Sequence, residues 1–268
     1  MVQAELPSLL KRENERSNAE AGSGGAASTE SRTDSVYALV ARCDVSLCDA
    51  RERGDVISVN TWQRRRDAAY HSVVNQHLRD GEYLPALARL DWLARQRPAD
   101  TPDPVVLSLA GRTHLLLGDT EGAEMCFTAC SHAVEGLCAR GVHHGDDSLK
   151  LNLLCDVDAG VLAVAKKEYA SARTKFTAAV AVHANELTSM SNLAVSHVYT
   201  CDMKQAIKIM EYALITKPSQ SAQHEPLLRN ANSAYDVSAP DPASAKRVLA
   251  GYVTKFAPDD LDPKVLGG

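Results

Sequence analysis

The fold is decided by residues 187–220, which read LTSMSNLAVSHVYTCDMKQAIKIMEYALITKPSQ. Small and apolar residues recur on both sides of Asp202 at the spacing of one helix face. Pro218 ends the second run, because a proline ring removes a helical hydrogen bond and clashes with the preceding turn. The stretch therefore predicts a hairpin of two helices.

The same offsets return in three earlier segments, which start at Asp67, Pro104 and Leu153. The eighth positions of the four copies are Val74, Gly111, Gly160 and Ala194, and the twentieth positions are Ala86, Ala123, Ala172 and Ala206. A degenerate fifth copy starts near Pro226 and places Ser233, Ala245, Leu249 and Tyr252 at equivalent positions. The proline that ends this copy, Pro258, comes one residue late. Repetition of this kind indicates stacked helical hairpins.

The pattern resembles the tetratricopeptide repeat, a 34-residue motif with a small eighth residue, Ala at position twenty, a bulky residue at twenty-four and a late Pro. The resemblance implies an all-α fold, a tetratricopeptide-repeat α-solenoid of antiparallel helical hairpins. Positions eight and twenty would face each other where the helices cross, and position twenty-four, such as Phe176, would fill the seam with the next repeat. The expected packing residues are Ala86, Gly111, Ala123, Gly160, Ala172, Ala194 and Ala206, with Pro98 and Pro218 ending second helices.

The chain divides into segments of different character. Residues 1–34 hold no aromatic residue and include AGSGGAASTES, a composition typical of a disordered arm, although Leu6–Glu15 predicts a transient helix or docking segment. Helical spacing resumes after Asp34, and a longer helix is predicted from about Val59 to Asp80. The predicted segments are an arm at 1–34, N-terminal helices at 35–66, four repeats at 67–220 with an insert at 136–150, a degenerate hairpin at 221–260 and a flexible tail at 261–268.

The charge balance disfavours two classes of partner. The chain carries 29 basic and 34 acidic residues, a net charge of −5, so it has no overall positive field for nucleic acid or an anionic membrane surface. The basic run Arg64–Arg66 is typical of a solvated helix face. The apolar stretch at 160–165 is far shorter than the roughly 20 residues of a membrane span. We expect no nucleic-acid partner and no transmembrane segment.

The seven cysteines predict neither a disulfide framework nor a metal site. Their number is odd and the N-terminus lacks the apolar core of a secretory signal, so reduced cytosolic thiols are expected. Cys126 and Cys130 lie one helical turn apart, but no second ligand pair follows at zinc spacing, and we expect buried cysteines that pack as small apolar residues. His143, His144, Asp146 and Asp147 predict an exposed polar loop without a bound metal.

Motifs for catalysis are missing. The GSGG run at 22–25 lacks the Lys and Ser or Thr of a phosphate loop. His77, His114 and His197 all occupy position eleven, and one residue type that recurs at one offset indicates architecture rather than catalysis. The α subunits of protein prenyltransferases also contain helical hairpins, but Trp62 and Trp92 lie outside their Pro-Asn-Tyr-Trp-Arg signature. We expect no enzymatic activity and no cofactor.

A groove for partners is expected on the concave side, where positions two, five, nine and twelve of each first helix would lie. These positions become apolar along the chain, and such a strip predicts a site for a partner helix. The candidate residues are Leu115, Val157, Val161, Val164, Val195 and Val198. The alternative is that the C-terminal hairpin, or tighter curvature, buries these side chains.

Beyond its repeats, the order of segments resembles the C-terminal region of the family of trafficking protein particle (TRAPP) complex subunit twelve. The resemblance covers about residues 35–260, and its carriers include TWQRRRDAAYHSVVNQHLRDGEYLPAL, LAGRTHLLLGDTEGAEMCF and EYASARTKF. The most specific stretch follows the fourth repeat. It contains His224, Glu225, Asn230 or Asn232, Tyr235 and Asp236.

This resemblance implies a non-catalytic tethering subunit that binds TRAPP subunits eight and eleven. The implied location is cytoplasmic and peripheral at Golgi or ER-Golgi intermediate membranes, in endoplasmic reticulum to Golgi transport and autophagy. The alternative is a chaperone cofactor, whose repeats hold an acidic peptide in a clamp of Lys, Asn and Arg. That clamp is mostly missing, because its positions hold His71, Asn75, Leu109, Leu154 and Asp158.

Overall fold

A computed structural model describes residues 29–97, 101–141, 146–183 and 186–258, and within them it contains twelve helices and no strand. The chain forms two compact units that divide after Asp119. The first unit contains α1 (Thr29–Glu52), α2 (Val56–Arg79), α3 (Tyr83–Arg95) and α4 (Pro104–Leu116). The second contains α5 (Thr120–Ala139), α6 (Asp146–Ala165), α7 (Tyr169–Val182), α8 (Leu187–Tyr199), α9 (Met203–Thr216), α10 (Pro218–Ser221), α11 (Glu225–Ser238) and α12 (Pro242–Phe256). The predicted all-α fold of tetratricopeptide hairpins is confirmed.

Helix α1 begins at Thr29, so residues 29–34 are helical and do not belong to the predicted arm. Glu30 and Arg32 are good helix formers, and the helix extends upstream through them. The rest of that arm, with Leu6–Glu15, lies outside the described residues, as does the tail at 261–268. One buried apolar cluster of the first unit draws on all four helices, and it consists of Val40, Ala69, Tyr70, Val73, Val74, Ala86, Leu90, Leu93 and Val106.

Arg66 corrects the expectation that the run Arg64–Arg66 is a solvated face. Its side chain is only 6% exposed and lies between carboxylates of Asp44, at 3.8 Å, and Asp67, at 3.4 Å. Its guanidinium also lies 5.0 Å from the centre of the Trp92 ring. The cation sits on the face of α2 that packs against α1 and α3, where the ring and two acids compensate for the loss of water.

The turns between paired helices give direct evidence of one register. Each turn places a residue with positive φ at position fifteen, and the four are Gly81 (75°), Gly118 (79°), Lys167 (63°) and Cys201 (61°). The next amide donates back to the carbonyl oxygen of position eleven at 2.8–2.9 Å, as in Glu82 to His77 and Glu168 to Ala163. The copies therefore share a turn geometry as well as a sequence pattern.

At Gly160, the atoms nearest to the eighth position come from position twenty-four. The atoms nearest to a Cβ built on Gly160 belong to the ring of Phe176, at position twenty-four of the same repeat, and not to Ala172. Phe176 also lies in one buried cluster with Leu193 of the next repeat, as predicted for a seam residue. The ring is wide enough to cover the small eighth residue and still reach the neighbouring hairpin.

The fifth hairpin shows an error in the predicted register of its first helix. Ser233, expected to pack at position eight, is exposed, whereas Ala231 is buried. Leu249 of α12 is buried as predicted, and Ala245 and Tyr252 pack against the same cluster. Helices α11 and α12 match the repeat positions only if the connection between them is longer than in the other hairpins. Residues Ala239–Asp241, with Pro240 among them, form this connection.

The insert at 136–150 contributes helix at both of its ends. Helix α5 continues to Ala139, in agreement with the predicted lengthening of a second helix. Helix α6 starts at Asp146, well before the repeat position Leu153, so Asp146 and Asp147 lie in a helix and not in the expected loop. Acidic residues are favourable in a first turn because the helix dipole is positive there. His143 and His144 lie outside the described residues.

Candidate partner-binding site

The apolar residues predicted for the groove are half-buried rather than fully exposed. Val161 and Val164 on α6 pack against the cluster that contains Phe176. Val195 and Val198 on α8 are half-buried and are not members of the core clusters described here. We call Val161, Val164, Val195 and Val198 the valine strip. Leu115 on α4, in the first unit, is also half-buried.

Val157 does not belong to this surface, which corrects its assignment to the groove. Its side chain is buried in the cluster of Phe176 and Leu193. The equivalent fifth position of the next repeat, Ser191, is buried as well, and its hydroxyl oxygen accepts a hydrogen bond from Asn230 Nδ2 of α11 at 3.2 Å. The fifth positions of these two repeats therefore contact other helices of the second unit. They are buried, as the alternative to an open groove predicted.

The residues predicted to pack within the repeats lie inside. The buried set is Ala86, Gly111, Ala123, Gly160, Ala172, Ala194 and Ala206. Pro218 is half-buried and starts the short helix α10, directly after α9 has ended at Thr216. Pro98 lies outside the described residues.

The three histidines at position eleven each pair with the acid five residues later. His77 Nδ1 lies 2.6 Å from Glu82 Oε2, His114 Nδ1 lies 2.9 Å from Asp119 Oδ2, and the His197–Asp202 distance is 3.3 Å. Each acid lies at the end of a turn, just before the second helix of its hairpin. Each pair connects the first helix of a hairpin to the end of its turn, which agrees with a structural role for these histidines. An acid at position sixteen of these three repeats is the sequence signal for this pairing.

The cysteines are more varied than predicted. Cys43 and Cys130 are buried, Cys126 and Cys155 are half-buried, and Cys48, Cys138 and Cys201 are exposed, all as free thiols. Hydrogen bonding from the Cys130 and Ser131 side chains on α5 lowers the pKa of the Cys155 thiol on α6 to about 7, against the effect of partial burial. Local spacing relates Cys130 only to Cys126, one turn away on its own helix. The partner on the next helix was missed because contacts between helices are not visible in local spacing.

The described residues show neither a metal-binding cluster nor a membrane-spanning helix. Among them no group of three or more His, Cys, Asp or Glu side chains could hold a metal ion. No helix in this part of the chain is both long and apolar enough to cross a membrane. Of the acidic-peptide clamp positions, Asp158 is buried and Leu109 packs against the core of the first unit.

Comparison with known proteins supports the fold only. No protein-family model matches the chain, and no curated protein matches it. Among solved structures it is similar to BtubC (BKLC) from P. vanneervenii, with 14% identity, a TM-score of 0.50 and coverage of 82% of this chain and 89% of that one. It is also similar to the TPR2AB-domain:pHSP90 complex of yeast Sti1, with 12% identity, a TM-score of 0.34 and coverage of 81% and 91%. The TPR domain of P58(IPK) gives 12% identity, a TM-score of 0.32 and coverage of 95% and 74%.

Proposed function

We propose that this chain is a non-catalytic adaptor that binds other proteins, and that the valine strip is its contact surface. The observation that carries the proposal is the position of Val195 and Val198 on α8, half-exposed and outside the described core clusters. Apolar area of this kind contributes about 25 cal/mol per Å² when a partner removes it from water. An amphipathic helix is the occupant we favour, because rows of apolar side chains on adjacent helices match its own face.

The specific partners in this proposal are other subunits of a TRAPP-type tethering complex, with subunits eight and eleven as the first candidates. The support is the sequence resemblance over about 35–260. Its most specific residues connect α11 to the rest of the second unit. His224 caps α11 by accepting from the Leu227 amide at 3.2 Å, and the Tyr235 hydroxyl donates to Glu211 at 3.3 Å. Asp236 pairs with Lys246 of α12 at 2.6 Å.

In this role the chain is cytoplasmic and reaches Golgi or ER-Golgi intermediate membranes only through its complex, in endoplasmic reticulum to Golgi transport and autophagy. It needs neither a cofactor nor a catalytic group. Its role is to hold partners together, for which repeated helical hairpins are suited. A chaperone-cofactor role has less support, because Leu109 and Asp158 replace residues that would bind an acidic peptide.

The test is affinity purification of the tagged full chain from cell extract, followed by mass spectrometry. The variant is Val195→Asp with Val198→Asp, and the matched control is Val237→Asp, which places the same charge at an exposed valine of α11. Circular dichroism melting of all three chains checks that they fold. We expect wild type and control to recover TRAPP subunits and the double variant to lose them while it still melts normally.

Other outcomes change the proposal. Recovery of chaperones without TRAPP subunits would replace the tethering role by a chaperone-cofactor role. Partner recovery that is equal in all three chains would remove the valine strip as the contact surface. A chain that recovers no stable partner would contradict the adaptor function itself.

A further inference from the structure

His224 connects the start of helix α11 to helix α8. Its Nδ1 atom accepts a hydrogen bond from the Leu227 amide at 3.2 Å, so that His224 is the N-cap of α11. Its other ring nitrogen, Nε2, lies 3.5 Å from the hydroxyl oxygen of Thr188 in the first turn of α8. The imidazole is half-buried between these two helices. One side chain thus caps a helix and contacts the preceding repeat.

Only the neutral imidazole of His224 can cap α11. Because the Leu227 amide donates, Nδ1 must offer a lone pair, and the single ring proton must lie on Nε2. A protonated imidazole carries hydrogens on both nitrogens and accepts no hydrogen bond. Its positive charge would also lie at a helix N-terminus, where the helix dipole disfavours cations. Protonation therefore removes one hydrogen bond and adds an unfavourable charge at the same point.

The charged and titratable groups on the elements around His224 are few. They are Glu186 before α8, His197 on α8, Glu211 on α9, Lys217 before α10, Glu225 and Arg229 on α11, and Lys246 on α12. Glu225 pairs with Arg229 at 3.4 Å, and Glu211 meets α11 at Tyr235, three turns away from the cap. Glu186 is the residue of this set whose charge acts on His224.

Burial decides the direction in which the pKa of His224 moves. Partial burial disfavours the charged form and lowers the pKa below its ordinary value of 6.5, while the Glu186 carboxylate acts in the opposite direction. The folded protein therefore binds this proton less readily than the unfolded chain does. Stability that depends on neutral His224 is present above pH 6.5 and is lost as the pH falls towards the folded pKa.

We propose that His224 is a pH-sensitive cap, at which uptake of a proton weakens the packing of the C-terminal hairpin α11–α12 on α8 and α9. The hairpin shares one apolar cluster with those helices, in which Leu227, Leu228 and Ala231 of α11 meet Met190 of α8 and Met210 of α9. Acidification thus exposes apolar side chains that are buried at neutral pH. This inference does not rest on the proposed adaptor function, since it concerns one hairpin and names no partner.

Loosening begins at the first turn of α11. The other polar contacts of this helix lie further along it, where Asn230 donates to Ser191 of α8 at 3.2 Å and the Tyr235 hydroxyl donates to Glu211 of α9 at 3.3 Å. Neither contact involves a group that changes charge near pH 6.5. The hairpin therefore stays attached at its far end while its start opens.

The experiment measures hydrogen–deuterium exchange of the full chain at about pH 7.5 and about pH 5, on either side of the ordinary histidine pKa. The readout is the exchange of the α11 amides, corrected for the intrinsic effect of pH on amide exchange. His224→Asn keeps a strong N-cap that does not titrate, whereas His224→Ala removes the cap at every pH. The matched control is His132→Asn, the same change at an exposed histidine of α5.

We expect the α11 amides of wild type and of His132→Asn to exchange about fivefold faster at the lower pH, a factor that corresponds to the loss of one N-cap. His224→Asn should show no such acceleration, and His224→Ala should exchange fast at both pH values. Acceleration that persists undiminished in His224→Asn would overturn the proposal, because another titrating group would then cause it. Equal exchange of the wild-type α11 amides at both pH values would overturn it as well.

Circular dichroism melting checks that each variant folds and supplies a second readout. The melting temperature of wild type should fall by roughly 2–4 °C relative to His224→Asn as the pH is lowered below 6.5. His224→Ser, a second N-cap that does not titrate, takes the place of His224→Asn if the latter does not fold. A melting temperature that changes with pH equally in wild type and in the variant with a non-titrating cap would contradict the role of His224.

Discussion

The ring of Phe176 on α7 occupies the space in which a side chain at Gly160 on α6 would lie. A Cβ at Gly160 would be 2.5 Å from Cε1, 2.6 Å from Cζ and 2.9 Å from Cδ1 of that ring. Phe176 is almost fully buried, with Leu193 of the next repeat in the same cluster, so the ring has little room to move. One glycine therefore sets how closely α6 and α7 approach each other.

Gly160→Ala is expected to destabilise the protein by about 1–3 kcal/mol, since it overpacks this contact. The matched control is Gly251→Ala in helix α12, where a Cβ meets nothing within 4 Å. That control should gain about 0.5–1 kcal/mol, because Ala is a better helix former than Gly. Urea unfolding of both variants measures the two values. Stabilisation by both substitutions would show that Phe176 moves away at no cost.

The residue with positive φ in each turn gives a second prediction. Lys167 and Cys201 adopt φ of 63° and 61°, a conformation that costs a side chain about 1–2 kcal/mol. Lys167→Gly and Cys201→Gly should each stabilise by about 0.5–1 kcal/mol, after the greater freedom of glycine in the unfolded chain is subtracted.

The reverse change, Gly81→Ala, tests the same argument in the first unit. A Cβ there meets nothing within 4 Å, so any loss of stability comes from the backbone conformation and not from a clash. A loss of about 1 kcal/mol is expected from thermal or urea unfolding. If Gly81→Ala is neutral and Lys167→Gly is destabilising, the turns do not store backbone strain.

The hairpins and their turns could be predicted from sequence because they depend on residues close together in the chain. The small eighth residues and the alanines at position twenty mark the helix pairs, and local hydrogen bonds such as Glu82 to His77 close them. Burial of Arg66 could not be predicted in this way. It depends on Asp44 of α1 and Trp92 of α3, which lie on other helices.

In the candidate site, too, the features set by local sequence could be predicted and those set by other helices could not. Positions nine and twelve gave the half-buried valine strip, but Val157 is buried because α7 and α8 supply Phe176 and Leu193 around it. The fifth hairpin was displaced in register, since a proline-containing connection between α11 and α12 changes the offset between Ala231 and Leu249. Counting fixed repeat offsets along the chain gives the wrong positions after such a connection, because its length differs from that of the turns in the other copies.

Tyr252 of α12 replaces a backbone donor that a proline removes. Leu214 would ordinarily accept from the amide of residue 218, but Pro218 has no N–H. The Tyr252 hydroxyl lies 2.9 Å from the carbonyl oxygen of Leu214 and 2.7 Å from that of Pro218, and its single proton is shared between these two acceptors. Tyr252→Phe should therefore destabilise by about 1 kcal/mol, because a partly buried carbonyl loses its partner.

The control for this variant is Tyr212→Phe, the same change at an exposed tyrosine of α9. It should alter the free energy of unfolding, measured in urea, by less than about 0.5 kcal/mol. An equal effect of the two substitutions would contradict the assigned role of the Tyr252 hydroxyl.

Glu186 gives a prediction for pH. It precedes α8, and its carboxylate accepts from the amides of Thr188 at 3.0 Å and Ser189 at 2.5 Å. Partial burial raises the pKa of Glu186, but the hydrogen bonds from Ser189 and Thr188 together outweigh it and hold the pKa below the ordinary 4.5. A depressed folded pKa means that the stabilisation is present above pH 4.5 and is lost as the pH falls through the folded value.

Glu186→Gln keeps the size and an acceptor oxygen but removes the charge that favours a helix N-terminus, so it should cost about 0.5–1 kcal/mol at pH 7. The difference in melting temperature between wild type and variant should shrink as the pH is lowered below 4.5 and through the folded pKa of Glu186, since the wild-type carboxylate then becomes neutral too. Glu168→Gln is the matched control, because Glu168 precedes α7 but makes no capping hydrogen bond through its side chain. It should change the melting temperature less than Glu186→Gln at neutral pH. A difference between wild type and Glu186→Gln that stays constant over this pH range would mean that the charge of Glu186 does not stabilise α8.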